Sequence, residues 1–260
     1  EIGALTSLTE VEQSSVVQGR YKLLADAARR VASPQIRNSG TIGGNVCQDA
    51  RCWYYRYGVD CYRAGGNTCY ADTPEGQNRE HCLWGADRCV AVSPSDTAPA
   101  LVALDATMVI VGPGGQREVK AEEFFIGPNI DIERMTVLED GEVLTAIRLP
   151  AEWSGARFYF EKVADRNTWD FPLVNIAAAM KVSGAAGSET VDSIRIVAGA
   201  VQCVPRRLTV VEEVVRGQAK TAETASLAGQ SAVRGATPLN FNHFKIPLLQ
   251  NLVTRAIRDA

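Results

Sequence analysis

The first clear recurrence of apolar positions along the chain has helical spacing. Leu23, Leu24, Ala27, Ala28 and Val31 fall on one face of a segment running from Gly19 to Ala32, and Ser33-Pro34 ends it, because the residue before a proline is driven out of helical geometry. From Gln35 to Val46 the sequence QIRNSGTIGGNV is polar and glycine-rich, which predicts a loop. From there to Cys89 neither helical nor strand periodicity holds, and a loop that long inside a folded domain needs something to hold it. Pattern returns in VAVSPSDTAPALVALDATMVIVG: a short strand, a turn, a helix of small apolar residues, and a strand that stops at the turn Gly112-Pro113-Gly114-Gly115.

Between Lys120 and Pro150 come an apolar patch at Phe124, Phe125 and Ile126, an acidic turn at Glu139-Asp140-Gly141, and the strand-like VLTAIRLP. Pro150 to Gly155 reads as a domain boundary. Beyond it RFYFEKV, PLVNIAAAMKV and VDSIRIVAGAV are three strands, with turn residues Ser183 to Ser188 between the last two. Two or three helices close the chain, the best being Arg206 to Arg216 after Pro205, a stretch near Thr221 to Val233, and Phe244 to Ile257. The expected fold is α/β of the α+β kind. Residues 1–150 form a first domain with an insertion at about 47–89, and residues 155–260 a smaller domain built on an antiparallel sheet.

Composition changes this picture in one respect. The 260 residues, 46% hydrophobic and 22% charged, are those of an ordinary globular chain with room for a sizeable core. With 27 basic against 30 acidic residues there is no field to attract a polyanion. No run approaches the roughly 18 apolar residues of a spanning helix, and EIGALTSLTE lacks the basic, then apolar, start of a signal peptide. A cytoplasmic location is expected, with the periplasm, reached together with a partner subunit, as the alternative. The cysteines are what stand out: Cys47, Cys52, Cys61, Cys69, Cys82 and Cys89 share one segment, and Cys203 alone lies outside it.

Two stretches carry candidate chemistry. Thr41-Ile42-Gly43-Gly44-Asn45 offers consecutive backbone N–H groups without Cβ obstruction, together with a hydroxyl and an amide, and such a loop can cradle phosphate oxygens. Two adjacent glycines more often mean a tight turn. In the cysteine segment three explanations compete. Disulfides suit a secreted mini-domain, zinc prefers cysteines two to four apart, and an iron-sulfur cluster accepts scattered four-cysteine ligation.

The motifs SPQIRNSGTIGGNV, SPSDTAPAL, FFIGP, GEVLTAIRLP and AGAVQCVPRRLTVVE give the chain a nearly end-to-end resemblance to the FAD-binding medium subunits of the molybdenum hydroxylases. That family includes xanthine dehydrogenases, carbon monoxide dehydrogenase and aldehyde oxidoreductases. The resemblance implies that Thr41, Ile42, Gly43, Gly44 and Asn45 hold the FAD diphosphate and that Asp96 hydrogen-bonds the ribityl region. It also implies that Lys162 lies near the isoalloxazine and that Leu144 packs close to the ring. Asp96 also suits a helix N-cap, and Lys162 a solvated strand position. A glycine loop that the family carries ahead of a segment similar to EIGALTSL is absent here. The resemblance therefore implies either a truncated chain or a first FAD subdomain supplied by a separate polypeptide.

A subset of these subunits, seen in 4-hydroxybenzoyl-CoA reductase and periplasmic aldehyde oxidoreductases, carries an insertion at the same place for a 4Fe-4S cluster. By that similarity the ligands are Cys52, Cys61, Cys69 and Cys89. Cys47 and Cys82 are then surplus, and His81 is an alternative ligand. Arg51, Arg56 and Arg63 offset the cluster's charge, and Trp53, Tyr54, Tyr55 and Tyr62 shield it. The implied function is an electron relay between a molybdenum-cofactor large subunit with a 2Fe-2S small subunit and an external acceptor, through FAD. The substrate implied for the complex is an aldehyde, an N-heterocycle or an aryl-CoA thioester. No catalytic acid, base or nucleophile is expected on this chain, whose only histidines are His81 and His243. The alternatives are a zinc-stabilised interaction module and a self-contained flavin oxidase. Phe124 and Phe125 are candidates either for partner contact or for packing inside the first domain.

Overall fold

Two four-stranded antiparallel sheets organise the chain, one in each half. The computed structural model describes residues 1–185 and 187–260. The first half opens with β1 (Ile2–Gly3) and five short helices: α1 (Leu8–Gln13), α2 (Ser15–Arg20), α3 (Lys22–Arg29), α4 (Pro34–Ser39) and α5 (Ile42–Val46). The cysteine segment contributes α6 (Trp53–Arg56) and single 3-10 turns at Tyr62–Ala64 and Tyr70–Asp72. Then come α7 (Thr97–Ala103), the hairpin β2 (Thr107–Gly112) and β3 (Gly115–Lys120), α8 (Ala121–Phe124) and β4 (Val143–Arg148), in the sheet order β1-β4-β2-β3.

The apolar stripe predicted for the first helix is buried, with Leu23, Leu24, Ala27 and Ala28 at 0% exposure, but the helix is split. Tyr21 leaves helical geometry at φ −138°, closing α2 through its N–H to Val17 and opening α3 through its carbonyl to Leu24. The expected loop at 35–46 contains two helices too short for periodicity to reveal. The Ser33 and Thr41 hydroxyls cap them, each accepting from an N–H three residues on. The expected strand at Val90–Val92 reduces to one bridge between Val92 and Arg51. Strand β3 gave no sequence signal, because GQREVK is polar and lies on an exposed sheet edge. Phe124 and Phe125 are buried in the first core and Ile126 is buried beside them, so packing inside the first domain accounts for the patch.

The second half runs β5 (Arg157–Val163), β6 (Val174–Ser183), β7 (Thr190–Gly199) and β8 (Arg206–Arg207), in that sheet order. The helices α9 (Thr209–Val215), α10 (Ala222–Ala232) and α11 (Lys245–Asp259) follow. The expected turn from Ser183 to Ser188 includes Ala186, which lies outside the described residues. The helix expected from Arg206 begins only at Thr209, because Arg206 and Arg207 pair with Ala198 and Val197 as a short edge strand. Strand β6 is covered on both faces. Ala177 and Ala179 point into the core formed with α3 and α7, while Ile176, Ala178 and Met180 point into the core formed with α10 and α11. The second sheet thereby closes the core of the first half.

The cysteine lobe has a small core of its own, in which Ala50, Cys82 and Val90–Val92 pack with Met135, Ala200 and Cys203. It is clamped to the second half. The Asn242 amide donates to the carbonyls of His81 and Cys82, and the Lys245 ammonium to those of Glu80, His81 and Ala200. Among the described residues no helix is long and apolar enough to cross a membrane.

Candidate functional site

A cavity of about 360 Å³ opens where α5, the Pro94–Asp96 turn and the loop between β5 and β6 meet; its wall includes Thr41, Gly44, Asn45, Asp96, Trp169 and Phe171. The glycine loop is built differently from its sequence expectation. Its N–H groups do not form a free row: Ile42 donates to Thr6 O at 2.9 Å, Gly43 to Ala4 O at 2.8 Å, Gly44 to Thr41 Oγ1 at 3.0 Å and Asn45 to Thr41 O at 2.9 Å. The two glycines therefore do different work. A Cβ on Gly43 would lie 2.7 Å from the Ala4 carbonyl, so this glycine permits close packing of α5 on the β1 segment. Gly44 is exposed on the cavity wall, where a Cβ would meet only Thr41 Oγ1 at 3.1 Å. Asn45 is fixed by the hydroxyls of Ser95 and Thr97, which donate to its Oδ1 at 2.7 and 2.6 Å. Its amide N–H₂ is left as the donor edge.

Asp96 and Lys162 meet as a buried ion pair of 2.6 Å. Lys162 also donates to the carbonyls of Arg30 at 3.0 Å and Asp170 at 2.6 Å, so all three ammonium protons are placed. One side chain thus joins the end of α3, the start of α7, β5 and the β5–β6 loop, and Lys162 is not a solvated strand residue. Asp96 also accepts from Asn175 Nδ2, and burial pushes its carboxyl up to about 6 against the pull of Lys162. Asp96 occupies the N-cap position of α7, yet its side chain makes no capping bond; Ser95 Oγ takes that role, accepting from Ala98 N at 3.0 Å. Leu144 pairs with Ile110 in the first sheet, packs on the first core and stands outside the cavity wall.

Sequence reasoning missed the aromatic side of this cavity. Trp169 is more than half exposed and adopts φ +60°, an uncommon conformation for a bulky residue, held by its N–H to the Ala32 carbonyl. Phe171 lies under two guanidinium groups, Arg51 at 4.9 Å and Arg56 at 5.6 Å from its ring centre. The available signal was the exposed-aromatic pattern TWDF in a loop between two strands.

A second cavity is lined by Cys52, Cys61, Cys69 and Cys89 together, with Arg63 and tyrosines that include Tyr54, Tyr55 and Tyr62. Cys47, Cys82 and Cys203 are outside its wall, and all seven cysteines are unpaired thiols. Backbone N–H groups of Tyr54 and Tyr55 point at the Cys52 sulfur, and those of Ala71, Asp72 and Val90 at Cys69. Burial raises both thiols, Cys52 up to about 11, and these donors pull against it. Among the described residues no group of three or more Cys, His, Asp or Glu side chains is placed to hold a metal ion. His81 stands apart from this cavity, 1% exposed, with neither ring nitrogen hydrogen-bonded. Trp53 is 54% exposed and stacks on Tyr57 rather than lining the cavity. Of the three arginines expected here only Arg63 reaches the wall, because Arg51 and Arg56 turn to Phe171.

A flavoprotein is the class that this architecture matches. The family model described as the FAD binding domain in molybdopterin dehydrogenase matches residues 1–152, and that of the CO dehydrogenase flavoprotein C-terminal domain matches residues 159–260. The chain belongs to the FAD-binding medium subunits of the molybdenum hydroxylase family. Aldehyde oxidoreductase FAD-binding subunit PaoB of Escherichia coli (strain K12) is 30% identical, over 100% of this chain and 77% of the relative. The carbon monoxide dehydrogenase medium chain of Hydrogenophaga pseudoflava is also 30% identical, over 100% of this chain and 74% of its own length. Among solved structures, carbon monoxide dehydrogenase from Hydrogenophaga pseudoflava, lacking the Mo-pyranopterin moiety of the molybdenum cofactor, superposes with a TM-score of 0.72 at 28% identity. That superposition covers 98% of this chain and 72% of the other. The resemblance drawn from the TIGGN and SPSDTAPAL motifs holds at the level of the family.

Proposed function

We propose that this chain relays electrons between FAD in the first cavity and an iron-sulfur cluster held by Cys52, Cys61, Cys69 and Cys89 in the second. The observation that carries the proposal is the joining of the two cavities. Gln48 lines the first and Cys52 the second, so only three residues lie between their walls, a span of at most about 14 Å when extended. When bound, FAD takes up or releases electrons in pairs and a cluster passes them singly. The protein's part is placement. The Thr41 hydroxyl, the open face of Gly44 and the Asn45 amide are the groups that meet the diphosphate. Asp96 and Lys162 brace the walls around it, and Trp169 and Phe171 bound its apolar side.

The donor set of the second cavity suits a polynuclear group better than one ion. The four thiols share one cavity wall although they are eight or more residues apart in sequence, scattered ligation that an iron-sulfur cluster accepts, whereas zinc sites favour cysteines two to four apart. The substrate, an aldehyde, an N-heterocycle or an aryl-CoA thioester, is turned over on a molybdenum-cofactor large subunit, and a 2Fe-2S small subunit completes the path. Medium-chain and medium-subunit relatives support that assembly.

The test is a serine series in the assembled complex. Replacing Cys52, Cys61, Cys69 or Cys89 abolishes or severely lowers iron and labile sulfide while FAD is retained; replacing Cys47 or Cys82 leaves iron intact. A colourless, zinc-containing protein, or loss of iron from Cys82→Ser with retention in Cys89→Ser, overturns the assignment. Substrate turnover by the isolated chain at the rate of the complex overturns the relay.

A further inference from the structure

Arg63 is the one feature of the second cavity that ordinary folding does not account for. Its side chain is 1% exposed, and the nearest carboxylate, Asp49, is 3.8 Å away and itself half exposed. By contrast Arg51, on the neighbouring turn, closes a 2.6 Å pair with Glu80. A buried guanidinium without a close counter-charge is costly unless something anionic shares its site. Besides the Tyr55 ring, whose centre is 5.9 Å from its guanidinium carbon, what lies around Arg63 is largely sulfur. One Nη donates to Glu133 O at 2.7 Å and pins the group, the other lies 3.6 Å from Cys203 Sγ, and the guanidinium is within hydrogen-bonding reach of the Cys89 thiol. Its Nε is buried and has no partner. Cys203 comes from the second half of the chain, is 2% exposed, and touches Met135 Sδ at 3.6 Å on its other side.

We propose that Arg63 sets the reduction potential of the group held by Cys52, Cys61, Cys69 and Cys89, with Cys203 acting as an outer sulfur partner of Arg63 and not as a ligand. The proposal rests on the cluster reading above. Reduction adds one electron, delivered from the flavin site, and hence one negative charge to the cavity, with no bond made or broken. A fixed cation and N–H···S contacts stabilise that added charge and favour the reduced form. Arg51 and Arg56 do not substitute, because their guanidinium groups lie over Phe171 at the flavin cavity.

The experiment compares wild type, Arg63→Gln, Arg63→Lys and Cys203→Ala in the assembled complex. Iron and sulfide are counted per chain, the cluster potential is taken from a redox titration followed by electron paramagnetic resonance, and the flavin potential from the visible spectrum. Arg63→Gln is expected to keep its iron. At fixed ambient potential it shifts the cluster's oxidised-to-reduced ratio at least tenfold toward the oxidised form, equivalent to 59 mV for one electron. The flavin midpoint stays in place. Arg63→Lys keeps the charge, shifts the ratio less, and serves if the glutamine variant does not accumulate. Cys203→Ala retains its full iron. An unshifted potential in both arginine variants, an equal shift of the flavin, or loss of iron from Cys203→Ala overturns the proposal while leaving the cluster standing. Wild type without iron removes the cluster and this proposal together.

Discussion

The two cavities are walled by different kinds of chain. The first is walled by residues of helices α1, α4 and α5 and by the loops packed on them, the Pro94–Asp96 turn and the β5–β6 loop among them, and is braced by one buried ion pair that reaches in from β5. The second is framed by irregular chain with single helical turns, whose thiols are approached by backbone N–H groups and whose core is small. The difference teaches which site depends on its occupant. A cavity braced by protein groups is formed by the fold alone, whereas three buried thiols and one half-buried thiol around one cavity become stable as thiolates when a metal group neutralises them.

The largest expected effect tests the brace. Lys162→Met leaves Asp96 buried without its cation, which costs about 3–5 kcal/mol. Denaturant unfolding should show that loss, together with loss of FAD, while iron in the remaining folded protein is little changed. The double change Lys162→Met with Asp96→Leu should recover a substantial part, because no uncompensated charge remains. A loss below about 1 kcal/mol in the single variant would mean that the carbonyls of Arg30 and Asp170 hold the wall unaided.

The next effect belongs to the other side of the comparison. Burial, and the nearby Lys245 and Arg51, hold the His81 imidazole down to about 4. With the folded value below the unfolded one, the stability this confers is full above the ordinary histidine range near 6.5. It is lost as the pH falls toward 4, by about 3 kcal/mol at 1.36 kcal/mol per unit. Glu80, which faces Arg51, is the acidic group of this cluster, and Lys245 is itself drawn down to about 7 by burial. Thermal unfolding of wild type against His81→Leu across pH 7 to 4 checks the point. The leucine variant should lose less on acidification, and parallel curves would place the acid sensitivity elsewhere.

The same contrast explains what the sequence revealed. The stripe Leu23, Leu24, Ala27, Ala28 and the strands β5, β6 and β7 follow simple periods because each buries a face against a neighbour. Helices α4 and α5 are six and five residues long, too short to express a period, and the pairing of Arg206 and Arg207 with β7 is a tertiary contact that overrides local helix preference. Within the sites, the family resemblance singled out the four cysteines that line the second cavity and the TIGGN segment, part of which lines the first. The direction of each side chain did not follow from type. Arg51, Arg56 and Arg63 are close in sequence, yet two turn to Phe171 and one to the thiols, a choice made by the fold of the lobe and the Glu133 carbonyl.

The smallest effects separate the two adjacent glycines, which sequence alone treats alike. A methyl on Gly43 would sit 2.7 Å from the Ala4 carbonyl and 2.8 Å from Ala4 Cβ, neither of which is the end of a flexible side chain. Gly43→Ala should therefore cost about 1–3 kcal/mol of stability as an overpacked contact. At Gly44 a Cβ meets only a threonine hydroxyl at 3.1 Å, so Gly44→Ala should leave stability nearly unchanged. Gly44→Val places branched carbons in the cavity and should weaken FAD retention about tenfold, roughly 1.4 kcal/mol, with the fold intact. Flavin fluorescence after dialysis of the complex, alongside unfolding midpoints, distinguishes the two. Should Gly44→Val keep its flavin while Gly43→Ala loses it without loss of stability, the diphosphate would lie against Gly43, and the packing of α5 on Ala4 would have to open when FAD binds.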